Sequence, residues 1–325
     1  MNDTGWPSSV DVREVGPRDG LQIEAPISTA DKIRLLDRLV ATGVRRIEAT
    51  SFVSPTAVPS LADAAQVAEH VLSLPGVEWS ALVAGPGGAR RALAAGITHL
   101  QLVISAADGH SLANARRTTD EALATVADIA ASVHDAGGRC EVVVAVAWDC
   151  PFDGPTTTAR AVSVVERAVA LGADSICLAD TIGTASPRRV TELVAVTRRA
   201  VPDVPLGAHF HDTRGMGIAN AVTAVRLGVT TLDASIGGMG GCPFAPGASG
   251  NIATEELVYL LDDAGVRTGI DLGSALDAAR LAQQLVGHPL DSGLLRAGGR
   301  SVPSGPRRQP GGPDVTTARG ARRGP

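Results

Sequence analysis

Lysine is almost missing from this chain: of 29 basic residues only Lys32 is one. A Schiff-base or amine-nucleophile mechanism therefore has almost no candidate. Aromatic residues are scarce too, with three Trp, one Tyr and four Phe in 325 residues, too few for the stacking platforms that grip bases or extended sugars. A formal charge of -5 supplies no basic field, so nucleic acid is excluded as an expected partner. The four cysteines, Cys140, Cys150, Cys177 and Cys242, contain no CxxC pair and no short secreted-domain spacing, which implies a reducing compartment. The first residues, MNDTGWPSSV, have neither a basic start nor an apolar run. No stretch reaches the roughly 20 apolar residues that span a bilayer. A cytoplasmic protein without a membrane partner is the expectation.

What is present is a repeating α/β pattern in a chain that is 44% hydrophobic, enough to bury one large core. Short β-rich runs at Val10 to Val15, Arg46 to Thr50, Glu78 to Val83, His99 to Ser105, Arg139 to Val146, Ser175 to Leu178, Leu206 to His211 and Thr231 to Ser235 alternate with helical patterns. This alternation predicts a parallel sheet with crossover helices. Helix ends are written locally: Ser28 precedes an acidic first turn at Asp31, Gly43, Gly172 and Gly228 follow apolar helices, and Pro187 sits in a first turn after Ser186. A doubly wound open sheet has the same local signature, but a count of eight units favours a TIM (β/α)8 barrel over residues 1–290. A short extra C-terminal helix is expected from about Asp271 to Val286. The stretch 297–325, rich in Gly, Pro and Arg, is expected to be a disordered tail.

In such a barrel, working groups collect where the strands end, and the chemically distinctive residues of this sequence fall there. GPRDGLQ, after the first run, sets Arg18 and Asp19 side by side and carries Gln22. Arginine offers a forked, permanently charged donor to an oxyanion, and aspartate can hold a hard cation. Glu48 lies near the end of the second run and Asp180 after the sixth, where each could hold Arg18 or move a proton. His209 and His211, two apart in AHFHDTRG, leave the same face of a strand and can converge on one cation. Asn251 could add an amide oxygen ligand or cap the following helix. Cys242 sits in the glycine-rich GGMGGCPFAPGASGN, a setting suited to a loop over a ligand, and is the favoured functional thiol. Cys150, in WDCPFDG, is its competitor, while Cys140 and Cys177 read as packing.

The strings GPRDGLQ, IEATSFVSP, CPFDG, ADTIG, HFHDT and GGCPFAPGASGNIATEELVY together resemble the 3-hydroxy-3-methylglutaryl-CoA lyase family over about residues 10 to 290. The resemblance implies a carbon-carbon lyase that cleaves 3-hydroxy-3-methylglutaryl-CoA, or a close 3-hydroxy-3-alkylglutaryl-CoA, to acetyl-CoA and a keto acid such as acetoacetate. It implies a divalent cation, Mg²⁺ or Mn²⁺, on Asp19, His209, His211 and Asn251. Catalytic roles would fall to Arg18, Glu48, Asp180, His209 and Cys242, with Arg18 and Gln22 at the acyl-CoA substrate, in a possible homodimer. The sequence departs from the family in VAGPGGARRA and in ADTIG. Condensing relatives that join acetyl-CoA to a 2-oxo acid share the first loop and the two histidines, and remain the alternative.

Overall fold

The computed structural model describes residues 5–241 and 250–299. Its frame is a closed barrel of eight parallel strands. These are β1 (Asp11–Glu14), β2 (Arg46–Ser51), β3 (Glu78–Val83), β4 (His99–Ser105), β5 (Arg139–Ala145), β8 (Ser175–Asp180), β9 (Leu206–Phe210) and β10 (Thr231–Ala234). Two-residue strands β6 (Asp149–Cys150) and β7 (Gly154–Pro155) form a small antiparallel hairpin after β5. Closure is made by β1, which pairs with β10 on one side and β2 on the other. All eight expected strands are present, each within a few residues of its sequence position.

The surrounding helices include α1 (Thr29–Val40), α2 (Ala64–Val71), α3 (Pro86–Ala94), α4 (Asp108–Ala115), α5 (Thr119–Leu123), α6 (Val126–Asp135), α7 (Thr158–Ala170), α8 (Pro187–Ala200), α9 (Gly217–Arg226) and α10 (Thr254–Asp263). Beyond them lie α11 (Leu272–Val286) and α12 (Gly293–Ala297). Their starts follow the local chemistry: the Ser28 hydroxyl accepts from the Asp31 backbone N–H at 3.1 Å, and Pro187 occupies the first turn of α8. The expected tail lies, from residue 300 onward, outside the described residues. Among the described residues no helix is long and apolar enough to cross a membrane.

Strand pleating divides the apolar residues from the polar ones. On β5, Val142 and Val144 are buried in the apolar cluster shared with the helices. Inside the barrel the picture inverts: β1 supplies Arg13, β2 Glu48, β4 Gln101, β5 Glu141 and β10 Asp233, all linked by hydrogen bonds or ion pairs. A cavity of about 420 Å³ opens at the N-terminal end of the strands and a cleft of about 890 Å³ at the C-terminal end. Arg13 and Gln101 border both.

Candidate active site

The loop after β1 folds into one tight π-turn, Gly16–Gly20, in which the Arg18, Asp19 and Gly20 amides all donate to the Val15 carbonyl. Its glycines answer to close packing rather than to an unusual backbone angle. A Cβ on Gly20 would stand 2.9 Å from both Met239 Cβ and Ser235 Oγ, and one on Gly16 2.6 Å from Glu14 Oε1. Buried Glu14 stitches this loop to the segments that follow the neighbouring strand β10, accepting from the Gly16 and Ile236 amides and the Thr254 hydroxyl. Arg18 and Asp19 are thereby fixed over the barrel mouth.

Arg18 Nε donates to Glu48 Oε2 and Nη1 to Asp19 Oδ1, both at 2.5 Å. Those two bonds use two of the guanidinium's five N–H donors, and Arg18 lines the cleft. Burial pushes Glu48 up to about 6, against the pull of Arg18 and Arg13. Burial would raise Asp19 as well, but Arg18 and the two imidazoles hold it well below the usual carboxylate range.

His209, the penultimate residue of β9, and His211, just past its end, bring their rings to a centroid separation of 5.0 Å. Ligand atoms of Asp19, His209 and His211 all lie within 4.8 Å of one another, with His211 Nε2 3.7 Å from Asp19 Oδ2. Asn251 arrives on an extended segment docked against the ends of β9 and β10. The Ile252 amide donates to Phe210 O and the Ser235 amide to Ile252 O. Asn251 Nδ2 donates to Asp19 Oδ2 at 2.7 Å and to the Met239 carbonyl, while its Oδ1 is buried without a hydrogen-bond partner among the described residues. Gly240 makes this approach feasible, because a Cβ there would lie 2.6 Å from Asn251 Nδ2. An orphaned buried amide oxygen beside one carboxylate and two imidazoles is a donor set that fits a divalent cation.

The remaining expected residues are placed differently. Gln22 lines the cleft. Asp180 ends β8 and its two oxygens accept from the Thr184 and Ala185 amides, holding the turn after the strand. Burial raises it above its ordinary value despite those amides and His211. Cys242 lies outside the described residues. Cys150 is buried in the β6–β7 hairpin, where its sulfur accepts from the Phe152 and Asp153 amides at 3.4 Å, and it does not line the cleft.

Several residues joined to the site carry no motif. Asp233 Oδ2 meets His209 Nδ1 at 3.1 Å, and Arg13 grips Asp233. Burial would lift Asp233, but Arg13 and His209 keep it low; burial would lower His209, but Asp233 outweighs it and holds the ring above its ordinary value. His110, which had no supporting neighbour in sequence, lines the cleft with Nδ1 2.6 Å from Ser105 Oγ, and burial pulls it down to about 4.

A TIM barrel that gathers a buried arginine and an Asp–His–His triad fit for a divalent cation at its C-terminal mouth has the layout of a barrel enzyme. Residues 9–282 match the HMGL-like family, and the chain belongs to it. It is 40% identical over 301 residues to the (R)-citramalyl-CoA lyase of Chloroflexus aurantiacus, covering 89% of this chain and 95% of that protein. It is 37% identical to the Bacillus subtilis hydroxymethylglutaryl-CoA lyase YngG, over 90% of this chain and 98% of that one. Among solved structures, an HMG-CoA lyase from Acinetobacter baumannii in complex with coenzyme A and 3-methylmalate superposes with a TM-score of 0.87 at 39% identity, covering 93% of this chain and 98% of the other.

Proposed function

We propose that the protein is a carbon-carbon lyase that cleaves 3-hydroxy-3-methylglutaryl-CoA to acetyl-CoA and acetoacetate. The observation that carries the reading is the meeting of Arg18 with the Asp19, His209 and His211 cluster at one mouth of the barrel. Cleavage requires loss of the tertiary hydroxyl proton, conversion of that C–O bond to a carbonyl, and flow of the C–C bonding pair into the thioester as an enolate. A divalent cation, Mg²⁺ or Mn²⁺, held by Asp19, His209, His211 and Asn251 supplies a Lewis acid that lowers the hydroxyl's pKa. Arg18 stabilises the enolate oxygen, where charge develops only in the transition state. Glu48 holds the guanidinium in place from behind. Cys242 is the candidate to return a proton to the acetyl carbon.

The rest of the cleft suits a coenzyme A thioester. It is lined by Arg91, Arg116 and Arg117, which match a polyphosphate tail. Arg116 ends α4 in the left-handed region at φ 56, a helix-terminating turn at the wall of the cleft. A homodimer in the cytoplasm, with acetoacetate serving ketone-body or leucine catabolism, completes the proposal.

A second reading is favoured by the 40% identity to a citramalyl-CoA lyase. In citramalyl-CoA the free carboxylate lies one methylene closer to the hydroxyl, and the same bond cleavage yields pyruvate. Incubation with each thioester and Mg²⁺ or Mn²⁺, with and without chelator, separates the two. Acetoacetate formed only with metal supports the first reading and pyruvate the second. Consumption of acetyl-CoA with a 2-oxo acid, releasing free CoA, would instead identify a condensing enzyme.

A further inference from the structure

Metal-facing histidines need a fixed ring tautomer, because a nitrogen that carries a proton has no lone pair to give. Inside this barrel a buried ion-pair chain has the geometry to fix one. Arg13 Nε donates to Asp233 Oδ1 at 2.8 Å and Nη2 lies 2.7 Å from the same carboxylate, so the guanidinium clamps Asp233 with two nitrogens. Nη1 of Arg13 turns the other way, to Glu141 at 2.6 Å. A carboxylate gripped in this way is ionised and has only acceptors. Its second oxygen faces His209 Nδ1 at 3.1 Å. That ring nitrogen must therefore carry the proton, which leaves Nε2 as the lone-pair atom available to the cluster with Asp19 and His211.

We propose that Asp233 and Arg13 are a positioning pair that locks His209 in its Nδ1–H tautomer and so aims Nε2 at the cation; the proposal rests on the cation site of the proposed function. The same guanidinium reaches the other catalytic arm. Oriented as its surroundings require, the Gln101 amide sets its oxygen against the Arg13 guanidinium and donates to Glu48 Oε1 at 2.6 Å, and Glu48 holds Arg18. One buried arginine thus spans the imidazole arm and the oxyanion arm, from a place bordering both the upper cleft and the lower cavity. Neither Arg13 nor Asp233 is among the residues that supply the cluster's ligand atoms, which makes their role one of orientation.

The test begins with metal-free wild-type protein. Long-range proton–nitrogen NMR of its seven histidines, with the His209 signal assigned by its loss in His209→Gln, reads the tautomer at alkaline pH. The expected state is Nδ1–H, and an Nε2–H ring would overturn the proposal without any further variant. In Asp233→Asn the ring should become a mixture or reverse, and Mn²⁺ affinity by calorimetry should fall about 10- to 100-fold. Asp233→Glu should recover part of that affinity, which a purely structural defect would not do. Unchanged Mn²⁺ affinity and an unchanged ring in Asp233→Asn would also overturn it. Wild-type protein that shows the Nδ1–H ring yet binds no Mn²⁺ would sink the cation reading while upholding the tautomer.

Discussion

Replacing Arg18 with methionine should separate catalysis from stability. The side chain is buried between two carboxylates, and removal of one partner of a buried pair usually costs about 3–5 kcal/mol because a charge is left uncompensated. Here the loss is limited. Glu48 already stands at about 6 with Arg18 present, so without Arg18 it takes up a proton at neutral pH. Neutralising it from there is a small further step, because burial has already raised it most of the way. Asp19 keeps Asn251 and the imidazoles as partners. The fold should thus lose less than the ~3–5 kcal/mol that a stranded buried charge costs. Catalysis loses a donor whose contribution exists only in the transition state, for which about 3 kcal/mol, or 10²- to 10³-fold in kcat, is typical. Denaturant unfolding and steady-state cleavage of the thioester measure the two effects on one preparation. A kcat within tenfold of wild type, or a loss confined to KM, would refute the assignment of Arg18 to the developing enolate.

Other expectations follow from particular contacts. Because Glu48 titrates near 6, its charge is lost as pH falls through that value; kcat/KM should drop on the acid side, and Glu48→Gln should abolish that limb while lowering the plateau. Gly240→Ala drives a Cβ to 2.6 Å from Asn251 Nδ2 at a residue with φ +118. Mn²⁺ affinity should weaken by about tenfold or more, since a displaced ligand typically costs at least that, and calorimetry reads it. Phe210→Ala removes a fully buried ring packed on Trp148 with centroids 5.7 Å apart. A loss of about 3–5 kcal/mol in a denaturant melt is expected.

The barrel was legible because apolar strands and glycine-closed helices recur with a regular beat, and that beat places every rim residue. Arg18, Asp19, His209 and His211 could be found as a set since each falls at a strand end or in the loop after it. Arg13, Gln101, Glu141 and Asp233 were invisible to the same logic. A charged residue inside a strand ordinarily reads as facing water, and only closure of eight strands turns that face inward. His110 escaped because its partner Ser105 and the cleft wall come together only when α4 packs over β4. Position along the chain put Cys150 on the rim, but the β6–β7 hairpin folds its sulfur into a turn. A two-residue ladder of that kind leaves no periodic signal.

The central claim is that one cation sits between the first-loop carboxylate and the two imidazoles that follow β9. Anomalous diffraction from crystals soaked in Mn²⁺ tests it most directly. The expected result is a single strong peak within bonding distance of an Asp19 oxygen and of both His209 and His211, with Asn251 Oδ1 turned toward it. A peak elsewhere, or none at saturating Mn²⁺, would contradict the account.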